Sequence, residues 1–269
     1  MSASQRISYR NRDRMANWIA WFFLFALLIL MVSPLVLITI NSFKTETEFV
    51  QNGPLVLPES LSLESLQLAW DRLDYPTKLA NSIFISIAAS LLAIVISLLN
   101  AYAMGIGRVR GATAFLIFFI VAITLPNEAL IYPHYYMFKW AGLYDTRLAV
   151  ILILAALNTA FGTYLLTSVF KAFPRELIEA AMIDGAGHFK LLWRMVVPIA
   201  LPSLSVLFVF FFIWTFNEFF LPLIFLVSND KQTVPLAIAL ARSERGVVIT
   251  LQSAASLLGI LPCILFFVI

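Results

Sequence analysis

Charge is the scarcest ingredient of this 269-residue sequence, in which Asp, Glu, Lys and Arg together make up 12%. A soluble domain carries about a quarter. Hydrophobic residues reach 61%, so the chain reads as a membrane protein with no room for a sizeable soluble domain. Cysteine is almost missing. Cys263 stands alone in an apolar run, which excludes an intrachain disulfide and leaves a small buried hydrophobe. His134 and His188 are each isolated, so no metal site is expected. There is no G-x-x-x-x-G-K-[ST] to cradle nucleotide phosphates, no H-E-x-x-H and no nucleophile elbow, so no catalytic residue is assigned and the chain is not expected to be an enzyme. Its basic residues are scattered around a net charge of +3, which gives nucleic acid nothing to bind.

What the sequence has in quantity is uncharged length. A spanning helix needs ~20 apolar residues. Six runs qualify, at about 18–40, 79–106, 112–138, 148–170, 201–227 and 247–269. The expected fold is an all-α membrane protein, a six-span transmembrane helix bundle over residues 18–269, preceded by a basic segment at 1–17. The first run is too long for the core of a signal peptide and leads into Asn41-Ser42-Phe43-Lys44, so it is read as an uncleaved span. The third run is interrupted by Pro126-Asn127-Glu128 and reads as one helix broken or kinked at Pro126. Tyr132, Tyr135, Tyr136 and Trp140 follow. They have the shape to stack on sugar rings, but a belt at the membrane interface explains them more simply.

Lys and Arg in short loops set orientation. One side receives Arg6, Arg10, Arg12, Arg14, Arg108, Arg110, Lys171, Arg175, Lys190 and Arg194. The other receives Lys139, Arg147, Lys231, Arg242 and Arg245, plus Lys44, Arg72 and Lys78 in a long connection where acids outnumber them. The N-terminus and the 171–200 segment are therefore expected in the cytoplasm.

That segment contains FPRELIEAAMIDGAGHFKLLWRMVVPIALP, the one long charged stretch at the centre of the chain. Pro174 can open a helix. Glu176 and Glu179 fall at its start, where the helix dipole favours negative charge. Leu177, Ala180, Ala181 and Asp184 share one face, mostly small. Gly185 and Gly187 can end the helix and turn the chain. A helix lying on lipid would have a broad apolar face and a basic polar one. The acidic start here fits a protein partner better.

Glu179-Ala180-Ala181, Asp184-Gly185-Ala186, Pro198 and Leu201-Pro202 resemble the EAA motif of bacterial ABC importer permeases. Asn41-Ser42-Phe43-Lys44, Asn81-Ser82 and Gly142-Leu143-Tyr144-Asp145-Thr146 resemble the carbohydrate-uptake subfamily, and within it the six-span second permease of maltose-type transporters. Phe216-Asn217-Glu218-Phe219 is similar to that subfamily's Trp-Asn-Asp-Phe element, with Phe and Glu replacing Trp and Asp. The resemblance extends over nearly the whole chain. It implies a coupling helix at about 174–186 that docks into a cytoplasmic ATPase through Glu179, Ala180, Ala181, Asp184 and Gly185. It also implies a second permease completing a heterodimer, two ATPase subunits, an extracytoplasmic solute-binding protein, a sugar substrate and a place in the bacterial inner membrane. This chain would hold no cofactor, since ATP and Mg would sit on the ATPase subunits.

Within the apolar runs only Glu128 and Glu218 are acidic. An ionisable residue there faces the bundle interior or a water-filled path by default. Pro222 leaves the carbonyl of Glu218 without its i+4 donor, at the level of Asn217 and Trp214. Two readings stand for Glu218, a wall of the translocation path or a structural hydrogen bond to a neighbouring helix. Glu128 is likewise a path residue or an interfacial one. Asn81 is a further path candidate. A glycerol phosphate ester as solute would favour basic residues in the path, and the runs offer none. An ion-coupled transporter using Glu128 and Glu218 would be expected to show matched halves, which are absent, and would leave the acidic helix without a purpose. The chain stops at Ile269 inside an apolar run. A helix ending in hydrocarbon leaves carbonyls unpaired, so a longer natural chain is expected, and the resemblance implies that it continues into a short basic cytoplasmic tail.

Overall fold

A ridge of small residues organises the membrane part. Ser82, Ser86, Ala89, Ser90, Ala93, Ser97 and Ala101 lie buried along the helix Tyr75–Gly105. In lipid, small residues let backbones approach and so drive helix pairing. The helix Arg147–Lys171 answers with buried Ala155, Thr159, Ala160, Gly162 and Thr163. Ser97 Oγ donates to the carbonyl of Thr159 at 3.2 Å. A Cβ at Gly162 would stand 2.9 Å from Ser97 Cβ and 3.0 Å from Phe211 Cζ, so glycine is needed where three helices meet. The third is His188–Phe216.

The computed structural model describes residues 3–107, 109–240 and 248–268, with side chains from Asn17 to Phe267. Arg108, Arg242, Arg245 and Ile269, used above for orientation and chain ending, lie outside the described residues, as do the side chains of Arg6, Arg10, Arg12 and Arg14. Among the described residues, five helices are long and apolar enough to cross a membrane, and a sixth crossing arises if one bent pair is a single span. The chain divides into two compact units.

The first unit comprises residues up to Asp71 together with 241–258. Its helix Ala3–Ser42 contains the crossing segment Asn17–Ser42. The Asn41-Ser42-Phe43-Lys44 sequence then ties a knot. Lys44 is fully buried, and its Nζ donates to the carbonyl of Gly53 at 2.9 Å. Ser65 Oγ donates to the carbonyl of Lys44, and Asn41 Nδ2 to that of Pro54. Thr45 caps the short helix Glu46–Asn52 by accepting from the Glu48 N–H.

The second unit spans Arg72–Leu240 and the end of the chain from Gly259. It holds two buried clusters. One gathers Leu98, Ala101, Tyr102, Leu166, Phe170, Leu191, Leu192 and Val196. The other gathers Ile85, Ala89, Phe138, Val150, Ile153, Phe225 and Leu236. The third apolar run is Ala112–Thr124 followed by Asn127–Trp140, bent by 96°. The break falls at Leu125-Pro126, both extended. The fifth run, read from the sequence as one span over 201–227, is divided. The helix stops at Phe216 and a short helix Phe220–Phe225 follows after Asn217-Glu218-Phe219. The cause is Pro222, whose missing N–H removes the bond that would carry an α-helix through Glu218.

Candidate functional sites

The charged centre forms a helical hairpin. Pro174 is extended (φ −59°, ψ 127°) and opens the helix Arg175–Ile183, with Glu176 in the first turn. The far end closes as a Schellman turn. The Gly185 N–H donates to the carbonyl of Met182, and the Ala186 N–H to that of Ala181, both at 3.0 Å. Gly185 adopts φ +76°, which glycine reaches without strain. Glu176, Leu177, Glu179, Ala180, Asp184 and Gly185 are exposed. Ala181 is not on that open surface. With Ile178, one turn earlier, it packs against the buried cluster around Phe170 and Leu191. Its small side chain holds the helix close to the bundle, while Leu177, Ala180 and Asp184 stay free. Ile183 is 86% exposed, and Phe189 beyond the turn 78%.

Two features join the hairpin to the bundle. Tyr102 OH lies 3.0 Å from His188 Nδ1, linking the last turn of Tyr75–Gly105 to the first residue of His188–Phe216. The latter helix runs on without a break but widens into a π-turn at Leu192–Val196, closed by the Val197 N–H donating to the carbonyl of Leu192. Pro198 follows directly. Its ring would press on the Arg194 carbonyl in a regular helix, and the wider turn relieves that crowding.

At the far end of the same helix is a cavity of about 250 Å³. Asn127 enters its lining from the turn after Pro126, Asn158 and Phe161 from Arg147–Lys171, and Trp214 from His188–Phe216. Trp214 is 45% exposed. The Phe161 ring meets it edge-on at 5.2 Å and 70°. Asn158 Nδ2 donates to Thr215 Oγ1 at 3.3 Å.

Of the path candidates, Trp214 lines this cavity. Glu128 is exposed and adjoins the lining residue Asn127 in the 3-10 turn Asn127–Leu130. Glu218 Oε1 accepts the N–H groups of Phe220 and Leu221 at 2.9 and 3.0 Å, so it caps the helix after its own chain break. Asn217 Nδ2 donates to the carbonyl of Ile213 at 2.8 Å and lies 3.8 Å from Cys263 Sγ. Asn81 is not in the cavity lining. It is buried, and its Nδ2 donates to the carbonyls of Asp230 and Gln232 at 2.8 and 2.9 Å.

Asn81 belongs to a clamp on the connection after Phe225. Lys78 Nζ donates to the carbonyl and side-chain oxygens of Asn229. Ser82 Oγ accepts the Val234 N–H at 2.8 Å. Asp145, held at φ +58°, accepts the N–H groups of Val227 and Ser228 and the hydroxyl of Ser228, and pairs with Lys231 at 2.8 Å. Desolvation would raise the Asp145 carboxyl. The bonds from Lys231 and Ser228 outweigh it and hold the group well below the usual carboxylate range. Sequence reading missed this pair because its members stand 86 residues apart. It missed Asn127, Asn158 and Phe161 as a group for the same reason.

The fold is that of a multi-span helical membrane subunit. Residues 101–269 match the model of the binding-protein-dependent transport system inner membrane component, and the chain belongs to that family. It is 28% identical over 240 residues to the probable starch degradation products transport system permease protein AmyC of Thermoanaerobacterium thermosulfurigenes, covering 89% of this chain and 86% of the relative. It is 26% identical over 262 residues to the arabinooligosaccharides transport system permease protein AraQ of Halalkalibacterium halodurans, covering 96% and 93%. Its fold matches a chain from the crystal structure of a bacterial ABC transporter involved in the import of the acidic polysaccharide alginate. The TM-score is 0.84 at 21% identity, over 95% of each chain.

Proposed function

We propose that this chain forms half of the translocation path of an ATP-driven importer for a sugar or oligosaccharide delivered by an extracytoplasmic solute-binding protein. The observation that carries the reading is the hairpin, an exposed acidic and apolar surface at the start of a continuous helix that ends at the Trp214 wall. The sugar part is supported by relatives named for starch products and arabinooligosaccharides that align over most of their length.

In this mechanism the N-terminus and hairpin are cytoplasmic. Two ATPase subunits, which bind ATP and Mg, engage this chain and a second permease. Glu179, Ala180, Asp184 and Gly185 meet the ATPase, with Ala181 supporting the helix from behind. ATPase closure moves the hairpin as a lever. The Tyr102–His188 link and the long helix pass the motion to the cavity wall, and the path opens alternately to either side.

A gentle-detergent pull-down from the native membrane, with mass spectrometry of what is retained, tests this. The expected result is an ATPase, a second permease and a binding protein carrying a sugar. Recovery of this chain alone, with uptake that needs an ion gradient and no ATP, would overturn it.

A further inference from the structure

We propose that the cavity between the Pro126 turn and Trp214 is a subsite for a single uncharged sugar ring and disfavours anionic sugars. This rests on the sugar-importer reading and adds a charge class to it.

Size argues for one ring. Ligand pockets usually measure roughly 300–1,000 Å³, and this cavity, at about 250 Å³, lies just below that range. Wall chemistry argues for a sugar. Trp214 is half exposed, and Phe161 is set edge-on against it, which restrains the indole as a platform for the C–H face of a ring. Asn127 and Asn158 enter from two different elements. An amide both donates and accepts, and so does a hydroxyl, so these groups match sugar hydroxyls in either sense.

Charge argues for neutrality. Among the described residues, none lining the cavity carries a charge. A carboxylate or sulfonate taken from water into this half-open site loses part of its hydration, and no lining cation replaces it. The nearest ionisable neighbour along the chain is Glu128, one residue from Asn127, and its sign adds repulsion. The fold is shared with a chain from a transporter of an acidic polysaccharide. The shared backbone therefore does not by itself set a charge class, which is left to side chains.

The test uses the whole transport complex in liposomes. Ala156, in the cavity lining, is changed to Cys in a Cys263→Ser background. It is then reacted with neutral and with sulfonated methanethiosulfonates, each rate normalised to a free thiol. The sulfonated reagent should react at least about tenfold more slowly, a depletion equivalent to about 1.4 kcal/mol. Equal rates overturn the proposal. In parallel, ATP-driven uptake of tritiated maltotriose, arabinotriose and trigalacturonate is measured. A neutral sugar should enter, Trp214→Ala should slow it about tenfold, and Trp214→Phe should restore most of the rate. Trigalacturonate uptake as fast as that of the neutral sugars, or an unaffected Trp214→Ala, also overturns it. Failure of the wider reading is separate. It shows as a wild-type complex that takes up no carbohydrate, and the labelling ratio still decides the charge class of the cavity.

Discussion

The two ends of the Tyr75–Gly105 helix are secured by opposite means. At the Tyr75 end, Lys78, Asn81 and Ser82 grip Asn229–Val234 through side-chain hydrogen bonds, and Asp145 adds its own. At the Gly105 end the hairpin rests on Ile178 and Ala181 and is joined through Tyr102 and His188. Directional bonds fix one register and yield abruptly. An apolar ledge of two small contacts permits sliding. The difference teaches that one end of this unit is tied by directional bonds and the other is not, and in the proposed mechanism it is the second that the ATPase moves.

The largest expected effect breaks the fixed end. Lys78→Ala leaves the oxygens of Asn229 without their donor, at a cost of about 3 kcal/mol. Thermal unfolding of the purified complex should fall by about 6 °C or more. A fall under about 2 °C would mean the clamp is ornamental. Next comes Gly185→Val at the movable end. A Cβ there meets nothing within 4 Å, but φ +76° strains it, by about 1–2 kcal/mol. The hairpin turn should open, with ATPase recovery in pull-downs falling about tenfold and the unfolding temperature little changed. Gly185→Asn, tolerant of that conformation, should recover most of the loss. Equal melting losses for Gly185→Val and Lys78→Ala would erase the contrast between the ends.

Asp145→Asn sharpens the comparison by pH. The folded carboxyl titrates below its ordinary value, so its contribution is present above the unfolded pKa, about 3.9, and is lost as pH falls through the folded one. The variant should melt a few degrees lower than wild type at pH 7, and the gap should narrow only below about pH 4. A gap that closes between pH 7 and 5 would point to another group. The smallest effect is Tyr102→Phe. It removes one hydrogen bond, about 1 kcal/mol, and should lower sugar moved per ATP two- to threefold with a melting shift of about 2 °C.

The hairpin was legible in the sequence because its cues are local. Acids at a helix start, a glycine at its end and apolar runs on both sides lie within thirty or so residues of one another, at helical spacing. Pro126 was legible for the same reason. The break at Asn217-Glu218-Phe219 was not, because counting apolar residues measures length and not continuity. The proline that frees the Glu218 carbonyl was noticed, but the carboxylate of Glu218 turns out to cap the helix that follows. Asn81 is a path candidate in the sequence, and its partners at Asp230 and Gln232 are visible only once the chain has folded. The cavity is the extreme case, with Asn127, Asn158 and Trp214 coming from three separate helical elements.

The widened turn at Leu192–Val196 sets a phase. An α-helix rotates by about 100° per residue, and a π-turn takes in one residue more than an α-turn. Every side chain beyond it is therefore rotated relative to the hairpin by about one residue's angle. Tightening the same residues into a regular helix would swing Trp214 about 100° away from Asn158, whereas deleting one residue there would remove the widened turn and leave Trp214 facing as it does. The width of this one turn thus works like a skipped tooth in a gear, fixing which face a push at one end presents at the other.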